Sequence, residues 1–185
     1  MKVIKLGGSL SYSQELPACL ETVAKLGPGI VVVPGGGAFA DQVRMAQHNW
    51  QFDDGTAHGM ALLAMQQMAL LFNGLNKGFV IAGSVAAIGR QLAQGNTVIW
   101  SPDRGELDEA GIKPSWEVTS DSLAAWLADR LGAAELILVK SATIDSGLSL
   151  PQLAEHGIID GAFCAMVAEA KFAINILNAH AFNGH

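Results

Sequence analysis

Apolar residues follow two alternating rhythms along this chain. Short, nearly unbroken apolar runs at 3–6, 30–33, 79–82, 97–100, 135–139 and 173–177 have strand length and lack period-two alternation, the pattern of strands covered on both faces. Between them the apolar positions recur at helical spacing. Leu16, Leu20, Val23 and Ala24 lead to a stop at Gly27-Pro28-Gly29, and Phe39, Val43 and Ala46 lead to Asn49-Trp50. The longest helical segment, 56–72, carries Ala57, Ala61, Ala64, Met68 and Leu71 on one face, with Met60 and Met65 widening it as core filler. Asp53-Asp54-Gly55 reads as its turn and N-cap, and Ser84 as the cap of a helix through Leu92. The charged stretch 102–114 reads as a surface loop with one helical turn. Thr119-Ser120-Asp121-Ser122 opens a helix over Leu123, Trp126, Leu127 and Leu131, and further helices are expected at 151–156 and 163–172.

Strands alternating with helices of this length predict βαβ units, hence an α/β fold: a three-layer α/β/α sandwich around a mainly parallel central sheet, as one domain over 1–185. Ligands of such sheets bind beyond the carboxyl ends of the strands. Lys5, Gly7, Gly8, the triplet Gly35, Gly36 and Gly37, and Lys140-Ser141 all fall at those ends, while Thr119, Ser120 and Asp121 fall at a helix N-terminus. Independent segments thus point at one edge of the sheet.

Composition adds bounds. Of 185 residues, 50% are hydrophobic and 15% charged, which excludes a disordered chain and leads us to expect burial between subunits, a homo-oligomer. A net charge of −6 argues against nucleic-acid or anionic-lipid partners, although a local basic pocket could hold phosphates. Cys19 and Cys164 sit in apolar helical patterns and read as buried thiols. No apolar run approaches the roughly 18 residues of a membrane span. The first strand opens the chain without a leader pattern, so a cytoplasmic protein is expected.

Lys5 is the anomaly that suggests chemistry. An ammonium inside a strand buried on both faces costs several kcal/mol unless an anion meets it. It could snorkel to water, but the glycines that follow free backbone N–H groups to cradle oxyanions, and together they suggest a phosphate site. Phosphoryl transfer needs positive charge on the migrating group and little covalent help. The reading depends on Lys5 and Lys140, both at the tips of interior strands, being neutralised by a nucleotide's oxyanions rather than by the protein's own acids. Asp121 could cap its helix or hold the lysines in place. Arg44, one turn beyond Asp41, could reach an acceptor phosphate or face solvent, and His58 could contact substrate or be structural. His48, His156, His180 and His185 show no metal spacing, so a metal would arrive with the nucleotide. A nucleotide-hydrolase loop fails because its lysine follows the glycines. The stretch from Gly35 to Ala40 fits a permissive dinucleotide fingerprint, but Asp53 and Asp54 open a helix where the required acid should end a strand.

Lys5-Leu6-Gly7-Gly8-Ser9, Pro34-Gly35-Gly36-Gly37 with Ala40-Asp41, and Thr119-Ser120-Asp121-Ser122-Leu123-Ala124, in this order, resemble the amino acid kinase superfamily over nearly the whole chain. The triple glycine running into Phe39-Ala40-Asp41 and Val43-Arg44, and Ala57-His58-Gly59-Met60-Ala61, are most similar to its small aminomethylfuran phosphate kinase group. The resemblance implies an ATP- and Mg2+-dependent kinase that adds a γ-phosphoryl to a small phosphorylated substrate, in cofactor synthesis of the methanofuran type. Lys5 would bridge donor and acceptor phosphates, Asp121 organise the lysines, and Lys140 join them. Gly7, Gly8, Ser9, Lys140, Ser141 and Asp145 would bind nucleotide. Gly35, Gly36, Gly37, Arg44, His58, Thr119 and Ser120 would bind the acceptor, with acceptor and nucleotide halves at about 1–100 and 101–185. Larger members carry a second catalytic lysine where this chain has Met166, so Lys140 or Lys171 would substitute, or the chain would be a noncatalytic nucleotide-binding subunit. A carboxylate acceptor is the other alternative.

Overall fold

A computed structural model describes residues 1–145 and 147–184; His185 lies outside them. Six strands form one sheet in the order β3-β4-β2-β1-β5-β6: β1 (Lys2–Leu6), β2 (Ile30–Pro34), β3 (Val80–Ala82), β4 (Val98–Trp100), β5 (Glu135–Lys140) and β6 (Ala173–Asn178). Every pairing is parallel, where a mainly parallel sheet was expected. The strands before residue 101 lie on one side of β1 and the later two on the other, so the order reverses between β1 and β5. That reversal opens a crevice at the carboxyl edge.

Strand parity sorts the core into two layers and places the lysines. Ile4, Leu6, Ile137 and Val139 face the layer built by Leu16, Leu20 and Val23 of α1 (Glu15–Lys25) and Phe182 of α9 (Ala179–Asn183). Val3, Leu136 and Leu138 face the opposite layer, with Leu123, Ala124 and Leu127 of α6 (Ser120–Arg130). Lys5 is two residues beyond Val3 and Lys140 two beyond Leu138, so both turn toward α6. Register sets Lys5 beside Leu138, one pleat from Lys140 on the neighbouring strand.

The helices between are α2 (Gly37–Trp50), α3 (Asp54–Leu75), α4 (Val85–Ala93), α5 (Arg104–Glu109), α7 (Leu150–Glu155) and α8 (Phe163–Met166). Asp53 caps α3 by accepting from the Thr56 amide, Ser84 caps α4 through the Ala87 amide, and Asp103 caps α5 through the Glu106 amide. The helix expected over 163–172 is a single turn. Phe163 and Val167 share a helical face, but buried Phe172 lies nine residues on, about 180° around a helix, so the chain must unwind to bury it and enter β6. Cys164 is half-buried rather than buried, while Cys19 is fully enclosed, with its thiol pushed up to about 11 mainly by burial.

Candidate active site

Two glycine turns meet at the carboxyl edge, backbone against backbone. The Gly7 amide donates to the Val139 carbonyl at 2.8 Å and the Gly35 amide to the Leu6 carbonyl at 2.9 Å, so each loop is tied to the strand beside it. A Cβ on Gly8 would lie 2.6 Å from the Gly37 nitrogen, and Gly37 itself has φ +54, a left-handed conformation that side chains resist. Beyond them a 3-10 turn, Gly8–Tyr12, is pinned on both flanks. The Ser9 and Ser141 hydroxyl oxygens are 2.6 Å apart, and Tyr12 donates to Asp41 at 3.1 Å.

At the floor of this edge three charges converge. Lys5 Nζ is 2.7 Å from Asp121 Oδ1, and Lys140 Nζ donates to Asp121 Oδ2 at 2.6 Å. Each carboxylate oxygen thus meets one ammonium at short range. The side chains of Lys5 and Asp121 are each 4% exposed and that of Lys140 11%. Burial pushes the Asp121 carboxyl up, but the Lys5 and Lys140 ammoniums outweigh it and hold it below the usual carboxylate range. Burial, and then the Lys5 charge, bring Lys140 down to about 8 against the pull of Asp121 and Asp160.

The expectation that nucleotide oxyanions, and not protein acids, meet these lysines is therefore corrected: both ammoniums rest on Asp121. One carboxylate cannot neutralise two ammoniums, however, and the trio keeps a net positive charge. The open choice over the second lysine is also narrowed. Lys171 is exposed and precedes β6, at the amino edge of the sheet, whereas Lys140 stands beside Lys5; Met166 ends α8, packed against the core.

A cleft of about 680 Å³ opens over the trio. Gly7, Gly8, Ser9, Gly36, Gly37, Arg44, His58, Thr119, Ser120, Asp121, Lys140 and Ser141 line it; Gly35 and Asp145 do not. Gly35 is spent on the backbone contact beneath it, and Asp145 folds back to accept from the Gly147 amide. On the α2–α3 side the groups are looser. Arg44 pairs with Asp41 at 3.4 Å, with both side chains about half exposed, and its guanidinium lies 4.2 Å over the Trp116 ring. The Trp116 indole N–H donates to Gln47 at 2.6 Å, and Gln47 donates to Asp54 at 2.9 Å. His58 is buried beside Gly59, and desolvation depresses its pKa against a weaker pull from Asp108.

Sequence reasoning missed two contributors. Trp116 gave no signal beyond being aromatic. Asp160 accepts from the Thr119 amide at 3.0 Å, the Thr119 hydroxyl at 2.9 Å and the Ser122 amide at 2.9 Å, and also from the Ser122 hydroxyl. A cap drawn from 38 to 41 residues away leaves no local pattern to read. It also means that Thr119, expected to bind the acceptor, has its hydroxyl committed to Asp160. Among the described residues no three His, Cys, Asp or Glu side chains converge as a metal cage.

Comparison with known proteins agrees with the fold. The fold resembles crystal structures of uridylate kinase from Archaeoglobus fulgidus (TM-score 0.74, 17% identity, 100% of this chain and 97% of that one) and UMP kinase from Ureaplasma parvum (TM-score 0.73, 14% identity, 98% and 91%). A third, UMP kinase from Bacillus anthracis, gives a TM-score of 0.70 at 17% identity, over 97% and 87%. In sequence, the chain is 28% identical over 141 residues to [5-(aminomethyl)furan-3-yl]methyl phosphate kinase of Methanocaldococcus jannaschii, spanning 75% of this chain and 64% of that relative. The profile of the amino acid kinase family matches residues 1–143, which hold both glycine turns, the α6 start and Lys140. On that match, over the segment that builds the charged floor, the chain belongs to the amino acid kinase family.

Proposed function

We propose that this protein is an ATP-dependent kinase that transfers the γ-phosphoryl to a small phosphorylated acceptor, with (5-(aminomethyl)furan-3-yl)methyl phosphate as the leading candidate and its diphosphate as product. The observation that carries the reading is the convergence of one buried and one largely buried ammonium on one carboxylate. The remaining positive charge sits where a migrating phosphoryl would cross from one glycine turn to the other. An acceptor phosphate oxygen attacks the γ-phosphorus, the β–γ bridging bond breaks, and ADP leaves. Magnesium enters as part of the ATP substrate and neutralises charge on its phosphate oxygens.

The chain's own groups divide the work by position. Lys5, at the end of the central strand, faces both phosphates, while Lys140 and the Gly7, Gly8 and Ser9 turn serve the donor. Gly36, Gly37, Arg44 and His58 serve the acceptor, with His58 acting as a neutral hydrogen-bonding group. Asp121 holds the lysines apart and in place; as an anion it gives the phosphoryl no direct stabilisation. Incubation of the purified protein with γ-labelled ATP and a panel of phosphorylated acceptors tests the reading. Label transferred to the furan phosphate supports it, and nucleotide binding without any product would favour a noncatalytic subunit.

We also propose that the chain works as a homo-oligomer. From Gly55 to Leu75, α3 has no Asp, Glu, Lys or Arg, and Leu63, Leu70 and Leu75 are at least half exposed there, with Met45 and Trp50 exposed on neighbouring α2. Light scattering on wild type and on Leu63→Glu with Leu70→Glu checks this: a monomeric wild type would end the idea.

A further inference from the structure

The α6 start has an acid on each side. Asp121, inside the first turn, faces the lysines; Asp160, from the loop between α7 and α8, holds the turn from behind. The first-turn amides of an α-helix have no partner within the helix, and Thr119, in the N-cap position, does not cap them with its own hydroxyl. Asp160 does so, collecting two amides and two hydroxyls on one carboxylate. Two of those donors belong to Ser122, the residue after Asp121, so the grip fixes the turn that aims Asp121 between the lysines. Asp160 also lines the cleft.

We infer that Asp160 is a positioning residue for phosphoryl transfer: it locks the helix turn bearing Asp121 from behind and brings a second negative charge to the cleft that Lys140 also lines. This rests on the kinase reading for its consequence in catalysis, though not for its electrostatics. The charged groups that act on Lys140 are Asp121 from α6, in direct contact, and at longer range Lys5 from β1 and Asp160 from the α7–α8 loop. With Asp121 alone, two cations would share one anion. Asp160, outside ion-pair contact with either ammonium, adds to the pull of Asp121 on the Lys140 proton without cancelling the positive charge left on the trio, and Lys140 keeps its proton at neutral pH despite burial and the neighbouring ammonium.

The test separates charge from mere capping. Asp160→Asn keeps size and an acceptor oxygen but loses the charge, and Asp160→Ser is a second neutral variant. The 15Nζ resonance of Lys140, assigned by its loss in Lys140→Arg, is titrated in the full-length protein without nucleotide or acceptor, so failure of the kinase reading leaves this measurement intact. The midpoint is expected to fall below the wild-type value near 8 in the neutral variants. In turnover, the wild-type to variant ratio of kcat should grow about two- to fivefold between pH 7 and pH 9, with KM for ATP little changed. Thr119→Val with Ser122→Ala, which removes both hydroxyl contacts but no charge, should lower the melting temperature and leave the Lys140 midpoint in place. An unchanged midpoint in Asp160→Asn, an equal shift in the hydroxyl variant, or failure of both neutral variants to fold would each reduce Asp160 to a structural cap and overturn the proposal.

Discussion

The two sides of the cleft are built on opposite physical principles. At the β1–β5 tips, Lys5 and Asp121 are buried and Lys140 is largely so, held at 2.6 and 2.7 Å, and the Asp121 turn is backed by Asp160. On the α2–α3 side, Arg44 and Asp41 are half exposed, 3.4 Å apart, and steadied by an aromatic face rather than a carboxylate fork. Buried charge that is fixed in advance costs no reorganisation when charge develops during reaction, so it belongs where the chemistry is common to every turnover. A half-solvated arginine contributes little to folding and can shift to suit an anion, which fits a side that must recognise a particular acceptor. If this contrast is right, damage to the first side should remove the reaction, and damage to the second should alter only how well the acceptor is held.

The largest effect is expected from Lys5→Ala. It deletes the ammonium proposed to face both phosphates and leaves Asp121 with Lys140 alone. Single-turnover transfer in rapid quench should fall at least about a hundredfold, the range seen when one preorganised charge donor is removed from a transition state. A loss of only a few-fold would mean that Lys5 is an ordinary structural ion-pair partner and that the contrast between the sides is false.

A second break comes from pH, and it sets activity against stability. Lys140 titrates near 8 in the folded chain against an ordinary value of 10.5. Across that window the unfolded chain holds a proton that the folded chain has released, so the contribution of this group to stability rises with pH, on the order of 3 kcal/mol in all. Catalysis should run the other way, with kcat/KM for ATP declining above about pH 8 as the second cation is lost. Chemical denaturation and initial rates from pH 7 to 10 check both limbs. Parallel loss of stability and rate would point to unfolding instead of loss of the Lys140 charge.

Much of the rigid side was legible in the sequence because it is written locally. A lysine inside an apolar run followed by two glycines, a triple glycine after the next such run, and Thr-Ser-Asp-Ser before an apolar helix each declare an element end, and parallel topology brings such ends to one edge. The strand parity that turns Lys5 and Lys140 the same way could be counted in advance; their sharing of one carboxylate could not, because that depends on where α6 crosses β1 and β5. The choice between Lys140 and Lys171 needed the same information, since opposite ends of a strand look alike in composition. Asp160 and Trp116 stayed hidden for a different reason. Their partners lie 38 to 41 and 69 residues away, and no local spacing encodes contacts between a loop and a distant helix. Helix 163–172 was overextended because alanine-rich spacing sees propensity, while the burial of Phe172 that breaks it is tertiary.

The smallest effect, and the sharpest test of the adaptable side, is Arg44→Ala. The Arg44–Asp41 pair is half exposed and lies three residues apart on one helix, so its loss should leave the melting temperature within about a degree or two. The stacked guanidinium also shelters the Trp116 face, but the Trp116 indole N–H remains fixed by Gln47, so the platform itself should persist. If Arg44 meets the acceptor phosphate only in the bound complex, KM for the acceptor rises roughly tenfold, the worth of one solvated charge-assisted contact, while kcat and KM for ATP stay near wild type. Arg44→Lys should recover part of that affinity, since an ammonium keeps the charge but loses the flat stacking and the forked geometry. A fall in kcat at unchanged acceptor KM would place Arg44 with the transition-state groups and erase the division between the two sides of the cleft.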